Sequence, residues 1–284
     1  MQNAGKDQPR RPHQTRSDPT TAAGSPSVAV EGSPAVSLVI PAFNEADRLP
    51  PFLNTVRPYM ADAYGDLYEV IVVDDGSRDR TAEVVEEAAA NWPQLRLLRH
   101  GENRGKGGAV KTGVLASRAP LVLFADADGA APISEEAELR SAIAGGADIA
   151  CGSRLIGPNH RHARRWYRRA LGGAFATLVQ LLVGSPVRDT QCGFKMFRGP
   201  VARELFRICP RNDYLFDVFV LLAAKRRGHS IAEVSIPWQD VPNSRLHLLR
   251  DSLKMAAGLL TIRGQVSRLV AREKKAARRH VGEE

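Results

Sequence analysis

The chain has 284 residues, 43% of them hydrophobic and 25% charged, with a formal charge of +9, a composition ordinary for one large globular domain or two modest ones. Cys151, Cys192 and Cys209 lack the paired spacing of a metal or redox site, so reduced, unreactive thiols are expected. No N-terminal apolar run resembles a signal peptide, and the longest apolar stretch, 170–183, is too short to cross a bilayer and is stopped by Gly184-Ser185-Pro186.

Residues 1–33, rich in Pro, Ser, Thr, Gly and basic groups, read as a disordered tail. From Val36 short apolar runs alternate with helical patterns. VSLVIPA (36–42), YEVIVVDD (68–75), QLRLLRH (94–100), PLVLFADAD (120–128) and ADIACGS (147–153) are predicted strands, with helices over 46–60, 79–91, 106–118 and 134–144. Ser77 or Asp79 is expected to cap the second helix and Ser134 the fourth. This alternation implies an α/β fold with a mostly parallel sheet covered on both faces. Longer helices follow at 163–183, 200–208 and 214–227, then a strand-like run at 231–238. The expected divisions are a tail over 1–33, one α/β domain over 34–243 and a basic amphipathic helical segment over 244–284. In that segment Leu246, Leu249, Leu253, Ala256 and Leu260 share one face, suited either to packing on the domain or to an anionic lipid surface.

In doubly wound sheets ligands bind at the carboxyl ends of the strands. Three predicted strands end in polar, mostly acidic residues: Pro41-Ala42-Phe43-Asn44-Glu45, Asp74-Asp75-Gly76-Ser77 and Asp126-Ala127-Asp128. The third ends in the glycine-rich basic loop GENRGKGG, 101–108. That loop lacks the spacing of a P-loop, and no GxGxxG follows the first strand, which excludes kinase-like and dehydrogenase sites. Its backbone amides and Lys106 are expected to approach phosphate. Two carboxylates so close need a positive charge between them. A hard divalent cation, Mg²⁺ or Mn²⁺, held by Asp126 and Asp128 and carrying a nucleotide diphosphate, supplies it.

Charge is unevenly spread. Residues 245–284 hold ten Lys/Arg against four Asp/Glu, and 154–169 hold six arginines and no acid, leaving the remainder net negative. Such patches suit nucleic acid, anionic lipid or a phosphorylated substrate. Cys192 reads as a packed residue, His160 and His162 as solvated, and RRWYRR (164–169) as a run suited to a headgroup interface.

PAFNE, VVDDGS, NRGKGGAVKTG, ADADGA, ACGSR, RDTQCGFKMF and FDV resemble, in order and spacing, the family 2 glycosyltransferases of GT-A fold. Within that family the dolichyl-phosphate β-glucosyltransferase group is the most similar, with polyprenyl-phosphate mannose synthases nearby. The resemblance covers roughly residues 35–263. It implies inverting transfer of a hexose, glucose from UDP-glucose, onto a polyprenyl phosphate at the inner face of a membrane, with no nucleic-acid partner. Another nucleotide sugar such as GDP-mannose, a saccharide acceptor, or a non-enzymatic nucleotide- or nucleic-acid-binding role are the alternatives. By resemblance Pro41, Ala42, Asn44, Glu45, Asp74, Asp75, Lys106, Asp126 and Ala127 hold the nucleotide, and Asp126 and Asp128 hold the metal. Arg154 and Arg168 meet the acceptor phosphate. Gln191, Lys195 and Asp217 serve the chemistry. The family's usual Glu after FDV is replaced by Phe219.

Overall fold

The computed structural model describes residues 32–157, 166–239, 258–269 and 271. All but the last two residues of the expected tail therefore lie outside the described residues, as do His160, His162 and most of the 244–284 segment. Seven strands form one sheet in the order β3-β2-β1-β4-β6-β5-β7. Strands β1 (Val36–Ala42), β2 (Tyr68–Asp74), β3 (Leu95–Arg99) and β4 (Leu121–Ala125) are parallel, with Val36 facing both Tyr68 and Leu121. β6 (Phe194–Arg198) runs antiparallel between β4 and β5 (Ile149–Ser153), and β7 (Ile231–Ser235) pairs in parallel with β5.

The continuous apolar runs of β1 and β2 are buried on both faces, as strands of a covered sheet must be. Side chains alternate between two cores. Val39, Ile71, Val73 and Phe124 face one core together with Val110 and Val114 of α3 (Lys106–Ala116), with α6 (Gly199–Ile208) and with α7 (Phe216–Arg227). Leu38, Ile40, Val70, Val72 and Leu123 face the other, with α1 (Leu49–Tyr64), α2 (Thr81–Ala89) and α4 (Glu136–Ala144). Phe219 of α7 lies in the first core, fully buried, so the position where the family usually has Glu is a packing position here.

Several expectations are corrected. β6 was not predicted: Lys195 near its start hides the strand pattern, although Phe194 and Met196 fill one core and Phe197 the other. β3 is a half-buried edge rather than a buried strand. α1 begins at Leu49 because Pro50 and Pro51, lacking N–H groups, fit a first turn. Asp79 does serve the start of α2, accepting the Thr81 N–H at 3.0 Å. Ser134 does not cap α4 but sits in a single 3₁₀ turn, Ile133–Glu135.

The basic run 164–169 enters α5 (Trp166–Val183), which includes the backbone of Arg168; the side chain of Arg168 lies outside the described residues. Residues 258–269 are helical (α8), and Leu259, Ile262 and Val266 are fully buried in the first core. In this stretch the segment packs on the domain. Leu260, expected on the apolar face, is 71% exposed instead.

Candidate active site

The chain runs outward from β1 to β2 and β3, then returns to place β4 on the other side of β1. Such a reversal opens a crevice at the strands' carboxyl ends. A cleft of about 460 Å³ lies there. Pro41, Ala42 and Glu45 from the end of β1, Asp75 from β2 and Lys106 from α3 line it, with Asp126, Ala127 and Asp128 after β4. Phe43, Arg48, Asn103, Gly105 and Ala109 add to the wall, and Asp213 and Tyr214 join it from the α6–α7 connection. These two had no signal in the sequence beyond lying in a polar loop before FDV.

β4 ends at Ala125, so Asp126 and Asp128 sit in the turn beyond the strand rather than on one strand face. The Asp126 N–H donates to Gly193 O at 3.0 Å, which continues the β4–β6 pairing by one bond. A side chain at 193 would not fit: its Cβ would lie 2.1 Å from Asp126 Oδ2. Asp128 Oδ1 accepts the Ala130 N–H at 3.1 Å in an Asx-type turn. Burial, and then the charge of Asp126, push the Asp128 carboxyl above its ordinary pKa.

Lys106 Nζ lies 2.6 Å from Asp126 Oδ1. Burial alone would lower the pKa of this ammonium, but Asp126 and, behind it, Asp217 outweigh burial and hold it above its usual value. Four amides of the glycine-rich loop, those of residues 104, 105, 107 and 108, are already bonded within the protein. Arg104 N–H and Gly105 N–H donate to Asp75 at 2.9 and 2.8 Å, and Gly107 N–H donates to Asn212 O at 2.8 Å. Gly105, at φ 90°, is required where it stands, since a Cβ would lie 2.5 Å from Asn212 O. The loop is thus a clamp that reaches the cleft through Asn103, Gly105 and the Lys106 side chain.

Asp75 anchors that clamp and is itself held by His100, whose Nδ1 lies 2.6 Å from Asp75 Oδ1 and whose Nε2 lies 2.9 Å from Thr112 Oγ1. Sequence reasoning missed His100 and Thr112, because neither has local meaning without the fold. Asn44 and Asp74 do not line the cleft. The Asn44 N–H donates to Ser77 Oγ and Arg78 N–H donates to Asn44 Oδ1, each at 2.8 Å. Asp74 accepts the Ser77 N–H at 2.9 Å. Together they lash the β1 and β2 ends to each other, and Asn44 takes a φ of 55° to do so.

Lys195, Asp217, Gln191 and Arg154 also lie off the cleft wall. Lys195, fully buried in β6, donates to Asp217 Oδ1 at 2.9 Å and to Cys192 O at 2.5 Å. Burial raises the Asp217 carboxyl even against Lys195 and Lys106. Burial also opposes the Lys195 charge, and Asp217 restores it. The Cys151 and Cys192 thiols are free and buried, and burial pushes both up to about 12. Arg154 is stacked 4.8 Å over Trp238 and grips Asp189 through Nε at 2.7 Å and an Nη at 2.8 Å. Burial would raise the Asp189 carboxyl, but Arg154 holds it at about 2. Gln191 Nε2 is buried with no hydrogen-bond partner among the described residues.

The donor set fits a hard divalent cation. Asp126 and Asp128 offer oxygens, and neither thiol nor imidazole lines the cleft. Among the described residues no three His, Cys, Asp or Glu side chains converge as a cage. The pair would supply part of a coordination shell, with the remainder coming from substrate phosphates and water.

Comparisons with known proteins agree with this geometry. The model of glycosyl transferase family 2 matches residues 37–206. The dolichyl-phosphate beta-glucosyltransferase of Saccharomyces cerevisiae is 35% identical over 246 residues, covering 80% of this chain and 74% of that protein. The Homo sapiens protein of the same name is 34% identical over 251 residues, covering 84% and 78%. Among solved structures, glucosyl-3-phosphoglycerate synthase from Mycobacterium tuberculosis in complex with UDP superposes with a TM-score of 0.62 at 21% identity, covering 82% of this chain and 81% of that one. The same enzyme with Mn²⁺, UDP and glucosyl-3-phosphoglycerate gives 0.60 at 20% identity, covering 82% and 80%. At that identity the likeness establishes the GT-A fold, and the closer relatives carry the rest: the chain belongs to glycosyl transferase family 2.

Proposed function

We propose that this protein transfers glucose from UDP-glucose to a polyprenyl phosphate of the dolichyl type, with inversion at the anomeric carbon, at a membrane surface. The observation that carries the reading is the acid pair Asp126/Asp128, with Lys106, at the β1–β4 crevice of a chain about 35% identical to dolichyl-phosphate beta-glucosyltransferases.

An acceptor phosphate monoester is largely dianionic above its second pKa of about 6. One of its oxygens attacks the anomeric carbon while the bond from that carbon to the diphosphate breaks, and UDP departs with the electron pair. No proton need be removed from the nucleophile. The site must instead hold two anions together and stabilise the charge developing on the leaving group. Asp126 and Asp128 would hold Mg²⁺ or Mn²⁺, which when bound supplies Lewis-acid neutralisation of the diphosphate. Lys106 adds a second positive charge at the same place. Pro41, Ala42, Glu45, Asp75 and Ala127, lining the cleft, are proposed to seat the nucleoside. Asn44 and Asp74 contribute by fixing the loops that carry those residues.

Lys195 and Asp217 form the charged floor behind Lys106. Gln191 offers its unbonded amide to a sugar hydroxyl or phosphate oxygen. Arg154, oriented by Asp189, and Arg168 of α5 are proposed to face the acceptor phosphate. No helix among the described residues is long and apolar enough to cross a membrane, so contact with the lipid is assigned to the basic surface.

The test offers labelled UDP-glucose, GDP-mannose and UDP-N-acetylglucosamine separately, with Mg²⁺ or Mn²⁺ and a polyprenyl phosphate. Label entering the organic phase from UDP-glucose alone is expected. Cation-independent transfer, a different preferred sugar, or transfer only to a water-soluble acceptor would overturn the reading.

A further inference from the structure

The cleft holds a positive charge before any ligand arrives. Lys106 opens α3, and its backbone is pinned on both sides: residues 104 and 105 by Asp75, residue 107 by Asn212 O. Its side chain is 20% exposed and crosses to Asp126 at 2.6 Å. A lysine in the first turn of a helix faces the positive end of the helix dipole, so nothing local favours its charge there. Asp126 favours it, and Asp217 adds to the same field. The ammonium therefore sits against the carboxylate expected to take part in divalent-cation binding.

We propose that Lys106 is the built-in counter-cation of the Asp126/Asp128 pair, held on Asp126 until a divalent cation and a nucleoside diphosphate enter together, and then passed to the diphosphate. The proposal rests on the reading of the acid pair as a cation site and extends it to the order in which the site fills. An ammonium and a divalent cation on one carboxylate repel each other strongly at such range. A cation entering alone must displace Lys106 and leave it without an anion. A cation entering with a diphosphate brings Lys106 a new partner. Cation binding is thereby made conditional on the nucleotide, a coupling between two ligands carried by one side chain.

The experiment measures Mn²⁺ binding to the full chain by electron paramagnetic resonance, with and without UDP, in wild type, Lys106→Met, Lys106→Gln and Lys106→Arg. Melting curves establish that each variant folds. Both neutral variants should bind Mn²⁺ alone about tenfold more tightly than wild type or more, because one opposing charge has gone. UDP should tighten Mn²⁺ binding far less in them than in wild type, and Lys106→Arg should behave like wild type. Folded neutral variants that bind Mn²⁺ no more tightly than wild type would overturn the proposal, as would Mn²⁺ failing to bind any of the proteins with UDP present. Wild-type protein that gives the expected Mn²⁺ result but transfers no glucose from UDP-glucose to polyprenyl phosphate would sink the proposed donor and acceptor while leaving the counter-cation in place. The opposite pattern would do the reverse.

Discussion

Two kinds of acid–base pair stand within one sheet's reach, and they differ in what surrounds them. Arg154–Asp189 and Lys195–Asp217 are sealed: Asp189 takes two side-chain bonds from Arg154 and the Arg154 N–H at 3.0 Å, and Lys195 has no exposed surface. Lys106–Asp126 opens onto the cleft, with side chains 20% and 26% exposed and Asp128 alongside. A sealed pair whose donors and acceptors meet each other holds elements in place. An open pair with a second acid beside it is short of positive charge and suited to a ligand. Lys195–Asp217 thus serves architecture and Lys106–Asp126 binding, while Asp189 fixes Arg154, whose side chain is still 14% exposed, in the orientation proposed for the acceptor phosphate.

The sharpest way to break this comparison is to cut a sealed pair. Asp189→Asn should lower stability by about 3–5 kcal/mol in chemical denaturation, because Arg154 is left charged and buried without its partner. A loss below about 1 kcal/mol would place Arg154–Asp189 among the open pairs. Cutting the open side should do the opposite. Asp128→Ala should reduce cation-dependent transfer about 10²–10³-fold, while its melting temperature stays close to wild type, as scanning calorimetry would reveal. A large drop in melting temperature would move Asp128 to the architectural side.

Acid offers a subtler probe. Asp189, held at about 2 in the folded chain, lies below the ordinary carboxylate value. Its contribution to stability is complete above about pH 4, where the unfolded carboxyl is also ionised, and fades as the pH falls toward about 2. The shift corresponds to about 2 kcal/mol. Denaturation midpoints measured from pH 5 down to pH 2 should therefore fall more steeply for wild type than for Asp189→Asn, and parallel curves would contradict the depressed carboxyl. The smallest effect concerns Gln191. Replacing its unbonded amide by an apolar group, Gln191→Leu, should stabilise the ligand-free protein by up to about 1 kcal/mol. The same change should lower kcat/KM in the transfer assay. A destabilised variant would mean that the amide already has a partner in solution.

Much of the fold was legible because buried parallel strands announce themselves as apolar runs. β1, β2 and β4 were found from that signal, and with them the strand ends that bring Asp75, Asp126 and Asp128 to one edge. β6 was illegible for the complementary reason. A lysine second in a five-residue strand reads as surface until Asp217, 22 positions later, is known to lie 2.9 Å away. The internal bonding of the glycine-rich loop is hidden on the same account. Glycines next to Lys106 suggest a phosphate cradle, and the acceptor that fills it, Asn212 O, comes from the far side of the chain. His100 and Thr112 show the limit most plainly, since a buried histidine and a helical threonine mean nothing singly and become a support only when the histidine is seen to bridge Asp75 and Thr112. Local pattern finds elements and the charged ends of strands. It does not find partners separated by a hundred residues of chain.

The hold of Asn212 on the start of α3 bears on where this protein can be divided. The stretch matching the family model stops at residue 206, six positions before that carbonyl. A fragment trimmed to the match would keep Asp75, Lys106 and both cleft aspartates, yet leave the first turn of the lysine's helix unhooked. The unit that holds Lys106 at the cleft is therefore longer than the shared pattern: the turn after α6 is as much a part of the cleft wall as the strand ends that precede it.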